Sequence, residues 1–594
     1  MLNGESSQSH RLVRLETVLG KDALIATRLN ATETMSQGFT FSVNAYSEKH
    51  HELQANDLVG TMATVAVVQT DNTLRYLNGY IQELVAMGSQ RAGQRAAYRI
   101  VIVSWLQLLL SKQTDSRIFQ EKTVTDIIKE VFSTYGGVAD FSLQADAGEK
   151  WRYCTQYAES DYHFFNRICQ RAGLAYYFKH DNGSHKLHIV DKASKLPDLD
   201  PKSIIIQSGT GAHDHFSQWQ SKSAYVTGKQ AQRTYNYMKP TDFFPVDQKA
   251  AAPFASVPRV SDTESYVYST QYHSTGEGKS DVASKVAQSL ERGIVATGSG
   301  NCRNLLLGHH FQVELPNGAQ FADKGKTFTL TQITLTADDV SGTLTSSVEA
   351  LPKGQLAYPK ANPVTINGMQ TATVTGPKGE EIHTDDLGRI KAQFHWDRLG
   401  KGDDDSSCWL RVMQSFAGPA FGAHFTPRIG QEVVVAFENG NPDRPFVIGT
   451  MYHPEHKPPY GAQKGTRSGI RTRSTKGGGQ SNCNELYFED DKGKEEVYFQ
   501  AEKDHNTLIK NDETREVGNN QDSSIGNNQS IAVASNQTTE VGKNSTHSIG
   551  KELLLEAGKK ITLKVGGSTI ELTSSKIVVK SGTVDIDGGQ VQIN

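Results

Sequence analysis

The residues best placed to do chemistry are histidines and acids set close together. His213 and His215 flank Asp214, and on a strand both imidazoles would stand on one face. The surrounding stretch is rich in Gly and Ser and supplies no third metal ligand nearby. His453 and His456 bracket Pro454 and Glu455, and this loop cannot form the helix on which a zinc protease presents its ligands. His309 and His310 are adjacent, so in an extended chain they point apart. Asp403, Asp404 and Asp405 lack the spaced ligands of a calcium loop and read as a solvated hairpin tip. No G-x-S-x-G elbow, G-x-x-x-x-G-K phosphate loop or H-E-x-x-H helix occurs. The expectation is no catalytic residue, no metal, no cofactor and no enzymatic activity.

A chain of 594 residues exceeds one ordinary core, so several domains are expected. The net charge of −3 gives no electrostatic reason to expect nucleic acid or an anionic membrane as partner. Five scattered cysteines, none in a C-x-x-C pair, point to synthesis in a reducing cytosol. The first residues lack a signal-peptide core, and no apolar run approaches the ~18 residues that span a bilayer. With 53 Gly and 37% apolar residues, elongated β structure is favoured over one thick globule.

Residues 1–370 read as short strands with three helices. One covers Thr123 to Tyr135, one Asp161 to Ala172 between a Ser160 cap and Gly173, and one Asp281 to Arg292. Residues 375–455 read as a small OB-type barrel. Its strands include RIKAQFHW (389–396), CWLRV (408–412), EVVVAF (432–437) and PFVIGTM (445–451), with a turn at Asn439–Gly440. Residues 456–508 lead from this barrel toward the C-terminal part.

Residues 509–594 carry a repeat of eight. Ile509, Val517, Ile525, Val533, Val541, Ile549, Ala557 and Val565 recur at that period, and Gly follows at most of them. One apolar residue and one Gly per octad give one short strand and one corner, too poor to bury a core alone. Either one chain coils three octads per turn, or three chains each supply one side. The three-chain prism is favoured, because about 10 octads would make a needle on the order of 50 Å at ~4.8 Å per strand, whereas a stubby solenoid has little core to offset its ordering entropy. The expected trimer core is Val517, Ile525, Val533, Val541, Ile549 and Val565.

In order along the chain, ESDYHFFNRICQRAGLAYYFKH (159–180), GRIKAQFHWD (388–397), SCWLRVMQSFAG (407–418), PRIGQEVVVAFENGNPDRPFVIG (427–449) and NELYFEDDKGKEEVYFQAEKD (484–504) resemble the VgrG family, the spike proteins of bacterial type VI secretion systems. The resemblance implies a mainly β protein: a phage-hub-like base with two tube-like β-barrels, an OB-type barrel and a triple-stranded β-helix needle built by a homotrimer. It further implies an Hcp tube beneath the base, a PAAR-repeat protein on the tip, and effector and adaptor proteins as cargo. No nucleic acid is implied, nor stable membrane insertion before firing. The protein would wait in the cytoplasm and leave by injection without a signal peptide. Gln590, Val591, Gln592, Ile593 and Asn594 would form the cap-binding end. Neither an effector extension nor an inserted lysozyme domain is seen, which argues against enzyme activity. The rival readings are a spike of a phage tail or extracellular contractile particle, a polysaccharide-degrading β-helix, and an OB-fold nucleic-acid binder. The β-helix enzyme would need paired acids on one face, where the octads offer Asn, Gln, Ser and Thr. The nucleic-acid binder would need a basic groove, where the barrel carries Asp385, Asp386, Asp397, Glu432 and Glu438.

Overall fold

The computed structural model describes residues 7–48, 52–90, 95–208, 213–316 and 319–592. The chain divides into two compact units, Met1–Asp504 and His505–Asn594.

The first barrel uses six antiparallel strands. They lie in the order Val13–Thr17, Met62–Val68, Leu74–Gln90, Arg95–Val103, Gly38–Ser47, Ile25–Thr34. Strict alternation builds its interior: Phe39, Phe41, Val43 and Ala45 are buried while Thr40, Ser42 and Asn44 are less so. The seam between Val13–Thr17 and Ile25–Thr34 is closed by a side chain. The buried Gln8 carboxamide donates to the Leu15 carbonyl (3.0 Å) and accepts from the Leu15 (2.9 Å) and Ala26 (3.1 Å) amides. Backbone groups that a ladder would satisfy are thus met without one.

Strand Ile25–Thr34 continues into a second barrel by pairing with Thr327–Asp338. That strand opens a ring through His310–Glu314, Asp198–Ile206, His215–Ser223, Ile294–Gly300 and Thr343–Pro352, which pairs back onto Thr327–Asp338. Each barrel has its own apolar core. Between them in sequence lies an α/β segment whose helices pack into the first core. Helix Asp161–Ala172 starts where expected, with Ser160 Oγ accepting from the His163 amide (3.1 Å), and ends at Gly173 with φ 68°. Helix Val124–Ser133 falls inside the expected span. Helix Trp105–Leu110 was not expected, and its one local signal is the capping box of Ser104 with Gln107.

The third helix corrects the expected start at Asp281: it spans Thr275–Leu290, capped by Ser274. Gly276 and Gly278 look like breakers, but Gly278 sits where a Cβ would come within 2.7 Å of the Tyr272 ring, so it serves close packing. Glu291 follows the helix and accepts from the Tyr358 amide (2.8 Å). Burial pushes its carboxyl up to about 7. A folded-state pKa raised above the unfolded value contributes stability below about pH 4.5 that is lost as pH rises toward 7. Glu291→Gln keeps an acceptor for Tyr358 and removes the charge. We expect it to match wild type in urea near pH 5 and exceed it by about 1–2 kcal/mol at pH 7.5, the side chain's residual solvent contact reducing the full linkage value. Equal midpoints at both pH values would contradict this.

The OB-type barrel is a four-stranded antiparallel sheet, ordered Lys391–Phe394, Gln370–Thr375, Glu432–Phe437, Pro445–Met451. Its first strand starts at Gln370, ahead of the expected boundary at 375. Residues 408–412 do not form the expected strand. They make one bridge from Leu410 to Ile390 and one from Val412 to Val447. The segment therefore bonds first to the end of one edge strand and then to the other, which closes the sheet into a barrel. The expected turn at Asn439–Gly440 is present, with φ 51° and 72°. Residues 456–508 are more than a connection, since Arg467–Arg471, Glu485–Glu489 and Glu496–Gln500 form a three-stranded antiparallel sheet.

Candidate functional site

The turn after Glu432–Phe437 fastens the OB-type barrel to the base. Asp443 accepts from the Thr155 amide (2.7 Å) through Oδ1 and from Arg171 (3.1 Å) through Oδ2. The Arg171 guanidinium stacks 4.2 Å from the Trp151 ring. Arg444 donates to the Tyr272 (2.6 Å) and Tyr235 (3.1 Å) carbonyls, and Asn441 to the Thr270 carbonyl (3.0 Å). Asn441, Asp443 and Arg444 are all buried. The stretch NPDRP is thus a bolt of hydrogen bonds across the junction, those of Asp443 and Arg444 charge-assisted. Local sequence reasoning missed this role because the partners lie 170 to 290 residues away.

A second buried lock joins the two barrels. Arg75 pairs with Glu33 at 2.5 Å, and His180 Nε2 lies 3.2 Å from the same carboxylate. Burial would raise the Glu33 pKa, but Arg75 and His180 outweigh it and hold the group below the usual carboxylate range. Arg75 also donates to the Arg303 carbonyl (3.3 Å), and Arg303 to the Val68 carbonyl (2.9 Å). The base is therefore one braced body.

The candidate ligand residues serve structure. Asp214 accepts from the Arg303 (2.9 Å) and Asn304 (3.1 Å) amides, and His215 Nδ1 lies 2.8 Å from the His213 carbonyl. His310 sits between Thr329 Oγ1 (2.8 Å) and the Ala193 carbonyl (3.1 Å). The Asp403 carboxylate accepts from the Asp405 amide within its own loop (3.1 Å). The His453 and His456 rings stand 4.4 Å apart across a two-residue bridge. Among the described residues no group of three His, Cys, Asp or Glu could hold a metal ion.

The octads fold with a regularity that matches their sequence. Bends fall at Lys510–Asn511, Gly518–Asn519, Gly526–Asn527, Ala534–Ser535, Gly542–Lys543, Gly550–Lys551 and Gly558–Lys559, each immediately after an apolar position. From His505 to Lys559 the chain has no strand and no backbone hydrogen bond to itself. Val517, Ile525, Val533, Val541 and Ile549 are each between 43% and 52% exposed, so the chain alone does not cover them. The glycines do not serve as turn-permitting residues, contrary to expectation. None of Gly518, Gly526, Gly542, Gly550 or Gly558 has a left-handed φ, and a Cβ there would meet nothing in the chain. Ala534 makes the same bend. The local backbone does not demand Gly.

The octads also stop earlier than expected. Lys560–Val565, Ser568–Thr573 and Ile577–Lys580 form an antiparallel meander, with Val565 opposite Ser568 across a turn at Gly566–Gly567. Six octad intervals remain between Ile509 and Ala557, so the expected three-chain prism would be on the order of 30 Å in place of 50 Å. The signal was present: ITLKV and STIELT alternate with period two around a Gly-Gly turn, and the β-branched run KIVVK follows. Gln590, Val591 and Gln592 are exposed and outside any strand, while Ile593 and Asn594 lie outside the described residues.

Three family models match the chain in succession. They are the phage tail baseplate hub (residues 32–341), the type VI secretion system/phage-baseplate injector OB domain (370–452) and the bacteriophage T4 gp5 C-terminal trimerisation domain (468–578). The type VI secretion system spike protein VgrG1b of Pseudomonas aeruginosa is 33% identical over 529 residues, covering 86% of this chain and 70% of that one. The actin cross-linking toxin VgrG1 of Vibrio cholerae is 31% identical, covering 81% of this chain and 44% of that protein. Among solved structures, the E. coli c3393 protein, a type VI secretion component similar to T4 gp27 and gp5, aligns with TM-score 0.51 at 17% identity, over 74% of this chain and all of that one. The lidded Francisella PdpA–VgrG complex aligns with TM-score 0.54 at 10% identity, over 81% and 77%. These two likenesses show a shared fold. With a hub, an OB-type barrel and an octad segment in this order, and with that identity over that length, the chain belongs to the VgrG family of type VI secretion system spike proteins.

Proposed function

We propose that three copies of this chain form the spike at the head of a type VI secretion machine, the base (1–370) seated on an Hcp tube. The OB-type barrel (375–455), the approach (456–508) and the needle (509–594) follow in that order along the chain. The observation that carries the trimer is the octad segment. Its backbone groups have no partner in the chain, and an apolar residue recurs uncovered at every bend. Two neighbouring copies would supply both the missing ladder and the cover. The Gly at the bends then gives clearance to an adjacent strand. The role is mechanical, not catalytic: the braced barrels and the bolted junction resist thrust, and the buried charged groups described above are engaged in structural pairs. The protein would await firing in the cytoplasm and leave with the tube. Among the described residues no helix is long and apolar enough to cross a membrane.

We further infer that the needle end, Gln590 to Asn594, takes a PAAR-like cap by strand-end pairing, with effectors and adaptors carried there or along the needle. Val584, Ile586 and Val591 are exposed near this end, as a capped platform requires. Native mass measurement should give three times 65.2 kDa; a stable folded monomer would refute the reading. Deleting residues 590–594 should leave the trimeric state unchanged and abolish cap binding in a pull-down. Unchanged cap affinity would move cargo attachment to the needle sides or the OB-type barrel.

A further inference from the structure

The meander that ends the octads has two unlike faces. Its register sets Ile561 opposite Leu572, Leu563 opposite Ile570, Ile570 opposite Val579 and Leu572 opposite Ile577. These six apolar side chains therefore share one face. The other face carries Lys560, Thr562, Lys564, Thr569 and Glu571 with a single apolar residue, Val578, opposite Glu571, and Lys560 and Glu571 pair at 3.3 Å. Five of the six are exposed, from 37% at Leu572 to 70% at Ile577, and Ile561 is half-buried. A three-stranded sheet with an uncovered apolar face is unstable in water unless something packs on it.

We propose that this meander is the register clamp of the needle: three copies pack their apolar faces together, and that packing fixes which octad of one chain stands beside which octad of the next. The proposal rests on the trimer reading above. The occupant is a further copy of the chain for two reasons. The sheet begins at Lys560, directly after the last bend at Gly558–Lys559, so chains that share the octads arrive there together. The match to a trimerisation domain also runs through residue 578 and so includes the sheet.

The octads set the register only weakly. Most present one apolar residue, one bend and polar filler, Ile531 and Leu553–Leu555 being the additions, so sliding a chain by eight residues restores most of the contacts. The meander occurs once per chain, and the same slide pulls one apolar face out of the cluster. A repetitive shaft thereby gains one alignment among many near-equal ones.

The test uses the full chain with Cys408→Ser and a spin label on Asn544→Cys. Wild type should show a single inter-label distance in a trimer. Leu563→Asn with Leu572→Asn should give several distances or lose the trimer. Thr562→Asn with Thr569→Asn, on the polar face, should behave as wild type. A single unchanged distance and an intact trimer in the apolar-face variant would overturn the clamp alone, as would equal effects from both pairs. A monomeric wild type would instead overturn the trimer reading, and the clamp with it.

Discussion

Val541→Asp should dissolve the trimer, while Asn544→Asp three residues away should leave it intact. Val541 directly precedes a bend and is 49% exposed in the single chain. If the octad apolar residues meet on a common axis, the substitution brings three carboxylates together with no cation opposite. Each buried unpaired charge costs several kcal/mol, and the sum rivals the ~5–15 kcal/mol that holds a typical domain folded. Native mass spectrometry should therefore find monomer, resistance to heat and denaturant should fall, and secretion should stop. Protonation removes the charge, and like charges crowded together raise their own pKa, so the variant should regain trimer as pH falls toward about 5. Asn544 belongs to the polar filler and should tolerate a carboxylate. Equal damage from both substitutions would show that the inward assignment is wrong.

Asp443→Ala should loosen the base from the OB-type barrel. The carboxylate serves the Thr155 amide and Arg171 at once, and removing it strands a buried amide and a largely covered guanidinium. Breaking one side of a buried pair typically costs about 3–5 kcal/mol, chiefly through the stranded partner. Calorimetry should show the barrel unfolding before the base, with the first midpoint well below wild type. Asp443→Asn retains an oxygen for Thr155 and should fall between. Lys494→Ala removes an exposed pair with Asp491, 2.8 Å apart, and should change stability by less than about 0.5 kcal/mol. A wild-type midpoint for Asp443→Ala would mean the bolt carries no load.

What could be read from the sequence was what local rules determine. Helix Asp161–Ala172 has its cap, stripe and stop within a few residues, so its limits were legible. Thr275 was not, because Gly276 and Gly278 are breakers by propensity and packing partners in fact. Residues 408–412 alternate like a strand, yet their hydrogen bonds pass from one neighbour to another, which no local pattern encodes. At the needle the period of eight foretold each bend, but Val565 extended the count by chance into a meander. The NPDRP bolt was visible only as part of a resemblance. Its purpose depends on Thr155 and Arg171, brought near by the fold alone.

The ladder shared by the two barrels has a consequence for synthesis on the ribosome. Thr34 pairs with Gln332, about 300 residues later. All six strands of the first barrel have emerged once Val103 is clear, yet one edge of Ile25–Thr34 has no ladder partner until Thr327–Asp338 appears. From Val103 to Thr327–Asp338 is about 225–235 residues, so at bacterial elongation rates of ~5–20 residues per second that interval is roughly 11–47 s. During it the nascent chain displays an open strand edge, the kind that recruits other chains. Arg28, Asn30 and Thr32 make that edge polar and charged, which disfavours pairing between half-made hubs on the same polysome.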